Sequence, residues 1–279
     1  FPKQINRKKP GNTELVPTAT PRSRQQEKIM KTGVLLYCFD TPELNYHRLA
    51  ERCVEQIRKY LKLEITIVTN LETFKKFRPL GMINYKLVEN STTNTRPYRG
   101  KSVAWYNKER ALAYEHSPYD TTILMDCDYF VFSSTLLELA NTKFDMMLHD
   151  RVHDLTGKNM ILGKDESTLP LVWATVTLFK KTENTKAIFS MIRHVQEYYP
   201  HYKNLYRIRY INYRNDYAFA IALHQLNLGN CIPTPMTMLA DSVDVIDSDG
   251  DGMVFKHGDD VMFTSGQDVH VMDKEWCNG

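Results

Sequence analysis

The 279 residues suffice for one large domain or two small ones, and 42% hydrophobic with 25% charged residues is ordinary for a globular chain. The net charge of +3 is uneven: residues 1–29 carry seven Lys or Arg against two Glu, which leaves the rest at −2, too acidic a body for a general nucleic-acid binder. Five scattered cysteines without Cys-x-x-Cys spacing exclude a zinc knuckle or disulfide frame, and no apolar run approaches the ~20 residues of a membrane span. With no signal-peptide core either, the expected location is the cytoplasm.

Residues 1–29 are polar, with four prolines and almost no apolar periodicity, and read as a flexible basic arm, open to an acidic partner. The body, 30–279, begins with Gly33–Phe39, an apolar run expected as a buried strand. Thr41 and Pro42 then suit the N-cap and first position of a helix running to about Leu61. Glu64–Thr69 is the next strand, so strand, helix and strand form a βαβ unit in a parallel sheet. A strand follows at Ile83–Val88, and Lys101–Glu115 reads as a helix.

Thr121–Met125 is a second apolar strand, and it ends in Asp126-Cys127-Asp128. Alternation along a strand would turn Asp126 and Asp128 the same way and Cys127 inward. Two carboxylates roughly 5 Å apart repel by about 3 kcal/mol at an effective dielectric near 20, so a divalent cation between them is expected. Ligands of open α/β sheets gather at the carboxyl ends of strands, where this pair falls. It therefore reads as a metal site holding a phosphorylated ligand.

Further on, Thr135 with Glu138 resembles a capping box, and Phe144–Leu148 is a strand. Residues 150–169 form a long polar loop suited to binding. Leu171–Phe179 is β-rich, and Glu183–Tyr199 and Asn215–Asn227 are helical, with Gly229 past the end of the second. Tyrosines 199, 202, 206, 210, 213 and 217 recur at helical spacing among Lys203, Arg207, Arg209 and Arg214. Most are expected in the core, and outward ones are acceptor-side candidates.

Several motifs fail on their own terms. Gly100-Lys101-Ser102 lacks the glycine five residues earlier that a phosphate loop needs, and no Gly-x-Gly-x-x-Gly follows the first strand. Asp247–Gly252 resembles a calcium loop, but Gly258 stands where its glutamate belongs, so an acidic hairpin tip is expected. His149 and His153 lack a third zinc ligand. His270 differs: beside an acidic pair, an imidazole completes a mixed N/O site that suits Mn²⁺ better than Mg²⁺, with Lys274 near enough in sequence to neutralise phosphate.

An apolar strand feeding Asp126-Cys127-Asp128, a leading βαβ unit and a late His270/Lys274 pair together resemble the GT-A nucleotide-sugar glycosyltransferases over residues 31–276. The resemblance implies an α/β fold, a Rossmann-like mixed, mainly parallel sheet flanked by helices. It implies a nucleotide-binding half (30–132) and an acceptor-side half (133–279). It also implies Mn²⁺ (or Mg²⁺) held by Asp126, Asp128 and His270 and gripping the diphosphate of a nucleotide-sugar donor, commonly a UDP-sugar. By the same analogy Tyr37, Phe39 and Thr41 lie near base and ribose. Lys108 and Arg110 face the donor, and Asp126, Cys127 and Lys274 belong to the donor site. Asn215-Asp216 matches the acidic helix start beside the reacting sugar. A glycogenin-like branch carries a late His-x-x-Gly-x-x-Lys; His270-Val-Met-Asp-Lys274 is shorter and has no glycine.

Two rivals stand beside it. Haloacid-dehalogenase-type phosphatases also place Asp-x-Asp after a buried strand, but continue with Gly-Thr or Gly-Val where Tyr129-Phe130 follows here. Val245–Gly250 mimics that motif better, with only 29 residues left after it. The other rival is a non-catalytic module that keeps the transferase fold for binding or assembly.

Overall fold

The computed structural model describes residues 30–90, 92, 94–106, 108–157 and 169–278. The basic arm and positions 158–168 of the polar loop lie outside the described residues. The opening apolar run is strand β1 (Thr32–Tyr37), joined through helix α1 (Tyr46–Tyr60) to β2 (Glu64–Thr69). The pairing is parallel, Val34 opposite Ile65, as a βαβ unit requires. One helical turn, α2 (Leu71–Phe74), is capped by Asn70, whose side chain accepts from the Thr73 N–H; it leads to β3 (Asn84–Leu87), parallel to β2.

Helix α1 starts later than Thr41-Pro42 implies. The Thr41 hydroxyl accepts from the N–H groups of Glu43 and Leu44 in a local turn, and buried Leu44 packs with Tyr98 and Val103 before the helix begins. The helix expected over Lys101–Glu115 is absent for its first half. In its place stands a hairpin, β4 (Thr95–Tyr98) with β5 (Lys101–Ala104), followed by a 3₁₀ turn (Glu109–Leu112) and short α3 (Ala113–His116). Arg99 and Gly100 both take positive φ, 45° and 75°, the two-residue turn whose twist suits a hairpin.

Strand β6 (Thr121–Asp126) ends at the first aspartate, and β7 (Tyr129–Phe130) follows a tight turn. Helix α4 (Thr135–Ala140) is capped one residue earlier than read: Ser134 is the N-cap residue, and its hydroxyl donates to Glu138 at 2.6 Å. Next come β8 (Met146–His149), β9 (Val152–Asp154, within the expected loop) and β10 (Trp173–Lys180). The helix read over Glu183–Tyr199 divides into α5 (Glu183–Glu197) and α6 (Tyr199–Leu205), because Pro200 has no N–H to continue the ladder. Then follow α7 (Asn215–Leu226), β11 (Asn230–Cys231), β12 (Met236–Leu239), the antiparallel group β13 (Asp244–Asp249), β14 (Gly252–His257) and β15 (Asp260–Phe263), and finally β16 (Val269–Val271). The Asp247–Gly252 segment is a hairpin tip, as expected.

The main sheet has the order β11-β8-β10-β6-β1-β2-β3 and is mainly parallel, with β10 antiparallel to both neighbours. Side-chain alternation divides it into two cores: Val34, Leu36, Ile123 and Met125 face α1, while Leu35, Leu124 and Phe179 face α5 and α7. The sheet takes β1, β2, β3 and β6 from residues 30–132 and β8, β10 and β11 from 133–279. A second sheet, β7-β16-β12-β9, packs beside it. Tyrosines 199, 202, 206, 213 and 217 are buried, whereas Tyr210 is 50% exposed. No helix of the described residues is long and apolar enough to cross a membrane.

His149, at the end of β8, donates from Nδ1 to the Thr234 carbonyl at 2.9 Å and keeps Nε2 buried without a partner. Burial holds its pKa down to about 4, against the opposing pull of the Thr234 bond. An unfolded histidine takes its proton near 6.5, so between these values unfolding binds a proton and stability falls as pH falls. From pH 7 to pH 4.5 the chain is expected to lose roughly 2–3 kcal/mol more than His149→Gln does, read from urea midpoints of both proteins. Parallel pH profiles would show that His149 is not protonated on unfolding.

Candidate functional site

Asp126 closes β6, the central strand of the main sheet, and Asp128 sits in the turn that follows. Their convergence is therefore the work of that turn; strand alternation stops at Asp126. The turn sends β7 into the second sheet, where Tyr129 pairs with His270 on β16 and the Val271 N–H donates to the Asp128 carbonyl at 2.9 Å. That register places the imidazole against the acidic pair, and ligand atoms of Asp126, Asp128 and His270 all lie within 4.8 Å of one another.

The repulsion between the aspartates is offset by the protein itself. Arg110, 4% exposed, pairs with Asp126 and also donates to the carbonyls of Ala174 and Thr175, which ties the aspartate to β10. Lys274, 1% exposed, pairs with Asp128 and donates to the Val271 carbonyl at 2.6 Å. Burial pushes the Asp126 carboxyl up, against the pull of Arg110. Burial would raise Asp128 too, but Lys274 and His270 override it and hold that carboxyl far below the usual range. Asp128 is thus the permanently ionised member.

These residues fit a divalent cation. The Asp128 Oδ1 and His270 Nε2 atoms stand 3.2 Å apart, yet Oδ1 has no hydrogen-bond partner. With the imidazole neutral, these two atoms and the Asp126 carboxylate offer lone pairs to one point, a mixed oxygen and nitrogen set that suits a divalent cation. Among the described residues, no other such cluster of three acidic, histidine or cysteine side chains occurs.

The cluster lies in an open cleft between the two sheets' meeting edges, lined by polar and aromatic side chains. Tyr37, Phe39, Thr41, Arg110, Cys127, Asn215 and Asp216 all line it. The Tyr37 hydroxyl meets His116 Nδ1 at 3.0 Å, and the Cys127 side chain is buried in the core behind the wall. Asp216, in the first turn of α7, accepts from the Ala174 N–H at 2.9 Å and from Arg214 at 3.0 Å, and Asn215 accepts from the Tyr213 hydroxyl at 3.1 Å. Two candidates are not brought to the wall. Lys108 is exposed off the cleft, its carbonyl taken by Gln196, and Lys274 acts from behind Asp128.

The cleft also has walls that the sequence did not announce: Tyr46, Arg96, Trp105, Tyr106, Glu109 and Trp173. Burial pushes the Glu109 carboxyl up, and its Oε2 has no partner. The Arg214 guanidinium stacks 4.9 Å from the Tyr210 ring and 5.9 Å from Trp105; its position just before Asn215-Asp216 was the one available signal. The Val245–Gly250 phosphatase-like motif lies instead on the β13–β14 hairpin, in an antiparallel sheet that supplies no residue to this cleft.

A mainly parallel sheet with an acidic pair at the carboxyl end of its central strand, completed by a late histidine, is the GT-A arrangement, and the chain is similar in structure to GT-A glycosyltransferases. One such structure is GlyE of Streptococcus pneumoniae TIGR4, 12% identical with TM-score 0.43, matched over 73% of this chain but only 45% of GlyE. Another is the galactosyltransferase LgtC, solved with donor and acceptor sugar analogs, 14% identical with TM-score 0.44, over 68% of this chain and 70% of LgtC. A third is mouse xyloside xylosyltransferase 1, 10% identical with TM-score 0.46, over 72% and 85%. No family model and no curated protein matches the sequence. Overlaps below a TM-score of 0.5 carry no functional weight, and the chemistry rests on the cleft's own residues.

Proposed function

We propose that this chain is a metal-dependent glycosyltransferase that moves a sugar from a nucleotide diphosphate, a UDP-sugar, to a hydroxyl acceptor. The observation that carries this is the convergence of Asp126, Asp128 and His270 in a cleft at the carboxyl edge of the central strand. Asp126, Asp128 and His270 would hold Mn²⁺ (or Mg²⁺), which supplies positive charge for the leaving diphosphate. Lys274 keeps Asp128 ionised and in place. Tyr37, Phe39 and Thr41 flank base and ribose, in the 30–132 half, and Arg110 fixes Asp126 toward the donor.

In the reaction the bond from the anomeric carbon to the diphosphate oxygen breaks and a bond to the acceptor oxygen forms. In an inverting course Asp216 takes the acceptor proton; in a retaining course it steadies the cationic sugar, and the departing diphosphate oxygen takes the acceptor proton. The Ala174 N–H and Arg214 fix its orientation for either role. The acceptor enters from the 133–279 half, past Tyr210 and Arg214, with Trp105 facing them from the other half.

A panel of nucleotide sugars incubated with the chain and Mn²⁺ should show hydrolysis of one UDP-sugar above the others, abolished by EDTA. Inorganic phosphate released from an aryl phosphate, with no sugar nucleotide consumed, would identify a phosphatase instead. Calorimetry with neither UDP nor Mn²⁺ bound would identify a non-catalytic module.

A further inference from the structure

The cations of the cleft are almost all spoken for. On its wall Arg110 is paired with Asp126 and Arg214 with Asp216 at 3.0 Å, and behind the wall Lys274 is paired with Asp128. Arg96, on β4, is the exception. It lines the same cleft and donates to the Tyr46 hydroxyl, but it has no carboxylate partner among the described residues, and its Nε is buried without a hydrogen-bond partner. A half-buried guanidinium with an idle donor is a site awaiting an anion, because its fork geometry matches phosphate oxygens.

The hairpin holds this group at the metal end of the cleft. Arg96 pairs across the hairpin with Val103, which is fully buried against Leu44 and Tyr98. The Tyr98 hydroxyl in turn accepts from the Lys274 N–H at 2.8 Å, so the strand carrying Arg96 is pinned to the backbone behind Asp128. At the other side, Asn212 donates to the Thr95 carbonyl at 2.9 Å and joins the hairpin to the segment leading into Asn215-Asp216.

We infer that Arg96 is the cleft's diphosphate-binding arginine, an assignment that rests on the nucleotide-sugar reading and adds to it a group outside the Asp126–Asp128–His270 cluster. The three ion pairs are internally neutral, so, apart from a metal cation at the acidic pair, Arg96 is the positive charge left on the wall to meet the ligand, with Glu109 an acidic neighbour there. When the sugar leaves, its former bridging oxygen gains negative charge, and an unpaired guanidinium already in place stabilises that product without reorganisation. Arg96 therefore acts on the leaving group and takes no part in holding the metal.

The test is calorimetry on the full chain with Mn²⁺ present, using pyrophosphate, UDP and uridine against wild type, Arg96→Gln and Arg96→Lys. The Gln variant is expected to bind pyrophosphate and UDP roughly 10- to 100-fold more weakly, the loss of a charge-assisted hydrogen-bonded anion contact, with uridine binding unchanged. The Lys variant, which keeps the charge without the fork, should fall between and guards against a folding defect in the Gln variant. Equal pyrophosphate affinity in all three proteins would overturn the assignment and leave the nucleotide-sugar reading intact. Pyrophosphate binding that depends on Arg96, with no binding of UDP by wild type, would keep the anion site and overturn the nucleotide reading.

Discussion

Asp128→Asn is expected to lower metal-dependent release of UDP from the donor sugar by on the order of 10³-fold, the scale of several kcal/mol of lost charge stabilisation. The substitution keeps the side chain's shape and removes the carboxylate that is ionised at every working pH. It also removes one of three converging ligands, so Mn²⁺ binding by calorimetry should weaken in step with turnover. Asp126→Asn makes an informative partner. Asp126 is more open, 39% exposed at its side chain against 9% for Asp128, and its cation is Arg110 rather than Lys274. Both substitutions should weaken Mn²⁺ binding, and both should ease unfolding, because each leaves a buried cation, Lys274 or Arg110, without its counter-charge. Unchanged turnover in Asp128→Asn would remove the metal role from this cluster and with it the glycosyltransferase reading.

Residues 121–128 show what a sequence can disclose. An unbroken apolar run is what a strand covered on both faces must be, and carboxylates at its end are too costly to be idle, so strand and site were legible together. His270 was legible as chemistry but its route was not: it reaches Asp128 through a two-residue strand, β7, too short to leave a period. The same limit hid the Arg96 hairpin. Strands of four residues carry no countable alternation, and its turn is Arg99-Gly100, outside the usual Asn-Gly signals, so Lys101–Glu115 read as one helix. Arg110 and Lys108 were both expected toward the donor from the resemblance; Arg110 lines the cleft, whereas Lys108, at the entry to the 3₁₀ turn, is exposed and does not. Thr41 reached the cleft for a reason unconnected with the helix cap expected of it.

Lys274→Met should be the most destabilising single change at the site. Its ammonium lies 1% exposed against Asp128, and removing one partner of a buried pair leaves the other as an uncompensated charge, at a cost of about 3–5 kcal/mol. Asp128→Asn exposes the converse cost for Lys274, whose own proton burial already loosens against the hold of Asp128. The double variant Asp128→Asn/Lys274→Met removes both charges, and its urea midpoint is therefore expected to lie much nearer wild type than either single variant. A coupling of several kcal/mol across this cycle would assign the pair's net worth to mutual neutralisation rather than to added stability. The refolded double variant should still turn over no donor, since the metal ligand is gone. Strict additivity of the two single changes would mean that His270 or solvent, not Lys274, is the working partner of Asp128, and the lysine would lose its place in the mechanism.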